Sequence, residues 1–380
     1  MIKVSKEKID WLFGEAKRIL NAARPMPPCD GTWLYHPDGS GNYEGIWCND
    51  FACIVDNVPE LLPPAEIKAV YYYLIRHQRA DGGMPTSVSR AGKPGYITAG
   101  KPEFTNSDNS QFVVKIAYDY YKYTSDIELF VSTIDRLKRA MDFVPRSSVG
   151  LVWIDPDNLH TGYGWTDLVL KSGNVLFSSL LYWEACREMA EIYRKIGQKQ
   201  SEHDFLDRAG CIEKNLDVLW NDDIGAFYTA TAGERKIDIW GNAYLIYIGF
   251  PAGDKLKKIQ KFLVENYDRY TYKGQVRHLL KGEYWEKTIY EVPNGTYQQG
   301  AYWGNASGWV IYALTQEDTN LASRMANEMI DYYQTQGIYE CVNVHYTKVK
   351  DYVASIVNPV GAIKRLVKVD GSGGNTKREK

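Results

Sequence analysis

The chain has 380 residues, with 45 Lys and Arg against 47 Asp and Glu and a formal net charge of −2. Its 44% hydrophobic and 24% charged residues make an ordinary globular balance. A near-neutral chain has no basic field with which to collect nucleic acid or an anionic membrane, so any ligand has to be won by local contacts.

The N-terminal stretch MIKVSKEKIDWLFGEAKRIL lacks the continuous apolar run of a signal peptide. No other run approaches membrane-spanning length, which predicts a cytoplasmic protein. Lys6 to Ala22 reads as an amphipathic, highly charged helix with apolar residues three and four apart. Asp50 to Val58 follows as a helix of another kind, with small, amide and aromatic residues and few charges beyond its first turn. The two kinds then alternate. Charged amphipathic segments recur at Ala65 to His77, Ile127 to Phe143, Glu202 to Leu219, Asp254 to Tyr267 and Asp318 to Tyr333. Between them lie segments that read as buried on most sides: Asn109 to Tyr121, Ser172 to Arg187, Trp240 to Ile248, Ala301 to Leu314 and Val353 to Leu366.

Six solvent-facing and six buried helices, with the buried ones starting roughly sixty residues apart, suit a helix pair plus one long loop per repeat. The first charged helix has no buried partner before it and the last buried helix has no charged partner after it, so the two can pair and close a ring. The expectation is an all-α domain over residues 1–369, built from six helical hairpins closed into a barrel. The tail 370–380, DGSGGNTKREK, is polar and glycine-rich and is expected to be disordered.

Each buried helix is preceded by a segment dense in Gly, Asp, Asn and Trp, such as GIWCND, FTNSDNSQ and NGTYQQGAYWGN, whereas the other connections are short. Long irregular loops repeated on one end of a regular scaffold are where function resides. The 29 Tyr and 11 Trp suit sugar binding, because aromatic faces offer apolar area while nearby carboxylates and amides take hydroxyl protons. The six cysteines, Cys29, Cys48, Cys53, Cys186, Cys211 and Cys341, form no CxxC and read as reduced and mostly buried. Phosphate-cradle, HExxH, GxSxG and Cys-His signatures are missing, so no cofactor is implied. The Asp155-Pro156-Asp157-Asn158 loop is too short to claim calcium.

Four stretches resemble the six-hairpin glycosidase superfamily, the (α/α)6-barrel hydrolases that include trehalase-, glucoamylase- and α-L-rhamnosidase-like enzymes. They are QRADGGMPTS from Gln78, GYGWTDLVLKSGNVLFSSLLYWEA from Gly162, NGTYQQGAYWGNASGWVIYAL from Asn294 and GIYECVNVHYTKVKDYVASIVNPVGAI from Gly337. The resemblance implies an inverting hydrolase acting on a terminal sugar, with an acid that protonates the departing oxygen and an opposed base that activates water. Asp167 in Gly164-Trp165-Thr166-Asp167 matches the trehalase-like acid. Its other readings are a cap on the helix near Ser172 or a hydrogen-bond partner for a sugar hydroxyl. The rhamnosidase-like pattern carries its acid at the position of His160, which would pass that role to Asp155 or Asp157. Glu340 matches the rhamnosidase-like base, with a plain loop salt bridge as its alternative and Glu286 and Glu291 in reserve.

On this resemblance Asp50, Asp108, Gln298 and Gln299 would hold sugar hydroxyls, and Trp47, Trp165, Trp285 and Trp303 would be stacking platforms, with Glu286 and His345 close by. Asp50 and Asp108 also read as N-caps of the helices that they precede. Two rival activities share the barrel. A sugar epimerase of the N-acylglucosamine epimerase type would use histidines, with His160, His278 and His345 in reach of the loops. An unsaturated uronide hydrolase would need a carboxylate-binding Lys171, Arg277 or Lys281.

Overall fold

The computed structural model describes residues 1–25, 30–98, 100–160 and 165–367. The expected tail over 370–380, Cys29 and the Gly162–Gly164 part of the Gly-Trp-Thr-Asp stretch lie outside the described residues. Thirteen α-helices occur among them: α1 Lys6–Ala22, α2 Cys48–Asn57, α3 Pro64–Ile75, α4 Asn109–Thr124, α5 Glu128–Phe143, α6 Leu176–Lys195, α7 Lys199–Asn215, α8 Ile239–Tyr247, α9 Lys255–Glu265, the single turn α10 Tyr267–Tyr270, α11 Ser307–Leu314, α12 Thr319–Gln336 and α13 Ala354–Leu366.

The division into two helix kinds is the division into two rings. Helix α5 buries Leu129, Phe130, Thr133, Ile134, Leu137, Ala140 and Met141, a stripe at three- and four-residue spacing that leaves its charged face in water. By contrast every residue of α8 is buried. Helices α2, α4, α6, α8, α11 and α13 each pack on the next, and α13 returns to α2, so the inner ring is closed. The outer helices lie against it, and α1 packs on α13 as the unpaired ends of the pattern require. The fold is an (α/α)6 barrel. No helix among the described residues is long and apolar enough to cross a membrane.

Glycine sets the closest approaches within the inner ring. A Cβ on Gly361 of α13 would run into the Asn57 side chain of α2, and one on Gly308 of α11 would strike the Asn358 backbone of α13. Pro359 sits inside α13 and offers no N–H to the carbonyl of Ser355; the Tyr333 hydroxyl donates to that oxygen at 2.7 Å instead. Farther from the long loops, buried Lys115 of α4 faces Asp56 of α2, Asp119 of its own helix, and Glu184 and Glu188 of α6 at 3.3 to 3.9 Å.

The six long loops are knitted to one another by short strands. Gly45–Trp47 pairs with Ser87–Ser89, and Ser172–Val175 pairs with both Trp153–Ile154 and Ala230–Ala232. Isolated bridges join Asp38 to Tyr352, Val169 to Thr288 and Tyr302 to Val342. Three expected boundaries are corrected, the first two by this pairing. Helix α6 begins at Leu176 rather than near Ser172, because Ser172–Val175 is extended and paired. Helix α11 begins at Ser307 rather than Ala301, because Tyr302 and Trp303 are bridged to neighbouring loops. Helix α9 stops at Glu265, short of the expected Tyr267. Cys48, Cys53, Cys186 and Cys341 are buried free thiols, and Cys211 is free and exposed.

Candidate active site

The rim loops bring three carboxylates and one ammonium together over the barrel mouth. Loop one begins with buried Asp38, whose carboxylate accepts from the backbone N–H groups of Ser40, Asn42 and Tyr43 at 2.9 to 3.0 Å. Burial alone would raise its pKa, but these bonds and those from the Ser40 and Asn42 side chains hold it below the usual value. The resulting turn presents Tyr43, and the bridge from Asp38 to Tyr352 ties it to the last loop. Tyr43 donates to Glu340 Oε1 at 2.9 Å and meets Trp47 edge to face at 5.2 Å.

Glu340 stands on the hairpin Tyr339–Asn343 and Tyr346–Lys350, in which Cys341 faces Lys348. Val349 adopts φ 44°, a left-handed conformation unfavourable for a β-branched residue, on the strand opposite Glu340. Lys348 Nζ is 2.6 Å from Glu340 Oε2 and 3.6 Å above the Tyr297 ring. Glu340 is buried, and burial raises its pKa. The Lys348 charge and the bonds from Lys348 and Tyr43 pull it down and the charge of Asp167 pushes it up, and the net stays above the usual value.

Asp167 comes from the third long loop and is half-buried. The Gln298 amide donates to its Oδ1, and Gln298 Oε1 accepts from Leu168 N at 3.0 Å, so one side chain holds both residues. Thr98 lies 3.4 Å from Oδ2. Burial raises the Asp167 pKa, opposed by Gln298 and by Lys348. Helix α6 starts with Val175 as its N-cap, so Asp167 does not cap it.

Asp50 completes the group. It lies inside the first turn of α2, whose N-cap is Trp47, which corrects the expectation that Asp50 is the cap. Its carboxyl is pushed up to about 7, chiefly by burial and further by Glu340 and Asp167, against a hydrogen bond from Tyr352. Oδ1 has no protein partner among the described residues. Asp108 does occupy the N-cap of α4, but its side chain makes no capping bond. Both Asp108 and Asp50 raise the buried Cys48 thiol, after burial itself, so each acid lies near that thiol.

The remaining sequence candidates divide. Trp47 keeps part of its surface, whereas Trp165, Trp285 and Trp303 are 2%, 4% and 1% exposed. Trp165 is ringed by Phe112, Phe177, Trp240 and Trp309 and fills the barrel axis below the mouth. The Gln299 amide is spent on the Trp285 backbone, accepting from its N–H at 2.7 Å and donating to its carbonyl at 2.8 Å. Glu286 is exposed and ion-paired to Lys236 at 2.6 Å. His345 is exposed at the hairpin turn, in a groove against α12 with Tyr332 and Thr335. Asp155 bonds to the Asp157 N–H and the Asn158 amide within its own turn, and Glu291 is exposed.

Of the histidines, His160 stacks on Phe104 at 4.6 Å and His278 on Trp240 at 3.9 Å. Burial drives His278 well below its usual pKa. Lys171 is wholly buried, lowered to about 8 by burial against the pull of Asp238, Asp108 and Glu234. Among the described residues no group of three or more His, Cys, Asp or Glu could hold a metal ion. Sequence reasoning missed Tyr43, Tyr297, Lys348 and Tyr352. Tyr297, Lys348 and Tyr352 lie in the stretches that carry the family likeness, whereas Tyr43 carries no local signal and reaches Glu340 from a distant loop.

No family model matches the chain, and no curated protein matches it by sequence. Solved structures do. A glycosidase aligns over 96% of this chain and 99% of its own with a TM-score of 0.68 at 12% identity. The GH63 mannosylglycerate hydrolase from Thermus thermophilus, in complex with Tris and D-glycerate, aligns over 93% and 100% with a TM-score of 0.65 at 14% identity. A rhamnosidase from Klebsiella oxytoca with rhamnose bound aligns over 96% of this chain and 65% of that one, with a TM-score of 0.64 at 14% identity. The shared feature is the six-hairpin barrel.

Proposed function

We propose that the protein is a glycoside hydrolase that removes a terminal sugar with inversion, with Asp167 as general acid and Glu340 as general base. The observation that carries this reading is the contrast between the two carboxylates at one mouth. Both Glu340 oxygens accept from strong donors, Tyr43 and Lys348, an arrangement that favours the ionised form required of a base. Burial raises the pKa of both carboxyls, so the contrast lies in their donors: Asp167 has a firm donor on Oδ1 only, which leaves Oδ2 to carry the proton required of an acid. The fold likeness to glycosidases makes the same chemistry the natural first reading, as an analogy of fold.

In this mechanism a terminal sugar sits over Asp50, whose bare Oδ1 takes a hydroxyl, with Trp47 at the side. Asp167 gives its proton to the glycosidic oxygen as the bond from that oxygen to the anomeric carbon breaks. Glu340 takes a proton from a water whose oxygen attacks the opposite face of the same carbon. Lys348 and Tyr43 fix the Glu340 carboxylate so that it need not reorganise. The histidines do not support the epimerase alternative, because His160 and His278 are buried against aromatic rings and His345 is exposed at the far turn. Incubation with nitrophenyl glycosides and with disaccharides of glucose, mannose, galactose and rhamnose tests the proposal. Release of free sugar is expected, and no release from any of them would overturn it.

A further inference from the structure

Beyond the two carboxylates, the loop over residues 284–294 runs alongside the segment that carries Asp167. Leu170 N donates to the Lys287 carbonyl at 2.9 Å, and Ile289 N donates to the Leu168 carbonyl at 3.0 Å. Val169 faces Thr288 in an antiparallel bridge. Asp167 and Tyr290 are the next residues beyond the Leu168–Ile289 bond, so the backbone carries Tyr290 close to Asp167. The Asp167 charge accordingly raises the Tyr290 phenol, though less than burial does. While three of the four candidate tryptophans are buried, Tyr290 is 58% exposed. It lines a cleft of about 620 Å³ together with Leu159, Leu170, Glu291, Val292 and Asn294.

A general acid must face the departing oxygen, so the group attached to that oxygen lies on the acid's side of the scissile bond. Tyr290, held beside the acid's segment by the Ile289–Leu168 bond, is placed to meet that group. Resting on the glycosidase reading above, we propose that Tyr290 is the platform of a leaving-group subsite and that the leaving group is a second sugar ring. The exposed ring face matches the C–H face of a pyranose, and Glu291 and Asn294 bring an acceptor and an amide to the hydroxyl edge. A wholly apolar leaving group would desolvate these polar groups without satisfying them.

The test compares Tyr290→Ala, Tyr290→Phe and wild type on two substrates of the same glycone: the best disaccharide from the panel above and the matching glycosyl fluoride. Fluoride departs with little help from an acid and has no ring to dock. For Tyr290→Ala the disaccharide kcat/KM is expected to fall by about tenfold to a hundredfold, the worth of one aromatic contact. The fluoride should change by no more than about twofold, and Tyr290→Phe should resemble wild type on both. An equal fall on both substrates, or no fall on the disaccharide, would overturn the subsite. A fall confined to nitrophenyl glycosides would overturn the assignment of a sugar as leaving group. Wild type that hydrolyses no fluoride would instead remove the glycosidase reading, and this subsite with it.

Discussion

Lys348 Nζ sits 2.6 Å from Glu340 Oε2 while resting 3.6 Å above the Tyr297 ring. The same ammonium lowers the pKa of both Glu340 and Asp167. Replacing it with methionine keeps the aliphatic stem and removes the charge, so both carboxyls titrate higher. A base that must be ionised then fails at low pH, and an acid that must be protonated persists to higher pH. The kcat/KM profile of Lys348→Met should move alkaline on both limbs by about one unit or more, whereas Lys348→Arg should retain the wild-type profile. A profile that loses height without moving would show that Lys348 acts only through structure.

Gln298 ties Asp167 to the Leu168 backbone through a single amide group. Gln298→Leu should lower kcat by roughly tenfold to a hundredfold on glycosides, because a misplaced acid cannot reach the departing oxygen. Steady-state rates on a glycoside and on the matching glycosyl fluoride check this. The fluoride should lose less.

Asp50 bears on stability as well as on binding. Its folded pKa of about 7 lies above the ordinary 3.8, so the stability tied to its protonated form is complete below about pH 4 and is lost as the pH rises through 7. Asp50→Asn removes that loss. The variant should be more stable than wild type at pH 8 by an amount on the order of 4 kcal/mol, read as a higher unfolding temperature, and should differ little near pH 4. Turnover should fall in the same variant if Oδ1 holds the sugar. Thermal unfolding across pH, read beside activity, separates the two effects.

Lys115 balances Asp56, Asp119, Glu184 and Glu188 within the barrel. Lys115→Met leaves buried Asp119, Glu184 and Glu188 and half-buried Asp56 without their shared cation, and urea unfolding should show a loss of about 3–5 kcal/mol. Activity per folded molecule should be unchanged, since the cluster lies away from the loops.

Most of the barrel was legible because helical periodicity is local. The charged stripe of α5 and the fully buried run of α8 identify outer and inner helices without knowledge of their neighbours. Expectations failed where a distant partner decides the backbone: Ser172–Val175 is a strand because Ala230–Ala232 lies beside it, and Trp303 is extended because Val276 bonds to it. The site follows the same rule. Asp167, Glu340, Gln298 and Lys348 stand in stretches with a family likeness, but Tyr43 reaches Glu340 from a distant loop and Lys348 reaches it from the facing strand of its hairpin. Trp165 and Trp303 beside glycines look like exposed platforms in sequence; in the barrel both are almost wholly buried.

The most direct test of the central claim is hydrolysis by wild type, Asp167→Asn and Glu340→Gln, with the anomer of the released sugar followed by NMR. The account predicts that wild type releases the inverted anomer and that each substitution lowers kcat on a glycoside by about a hundredfold or more. Release of the retained anomer, or turnover indifferent to both substitutions, would contradict it.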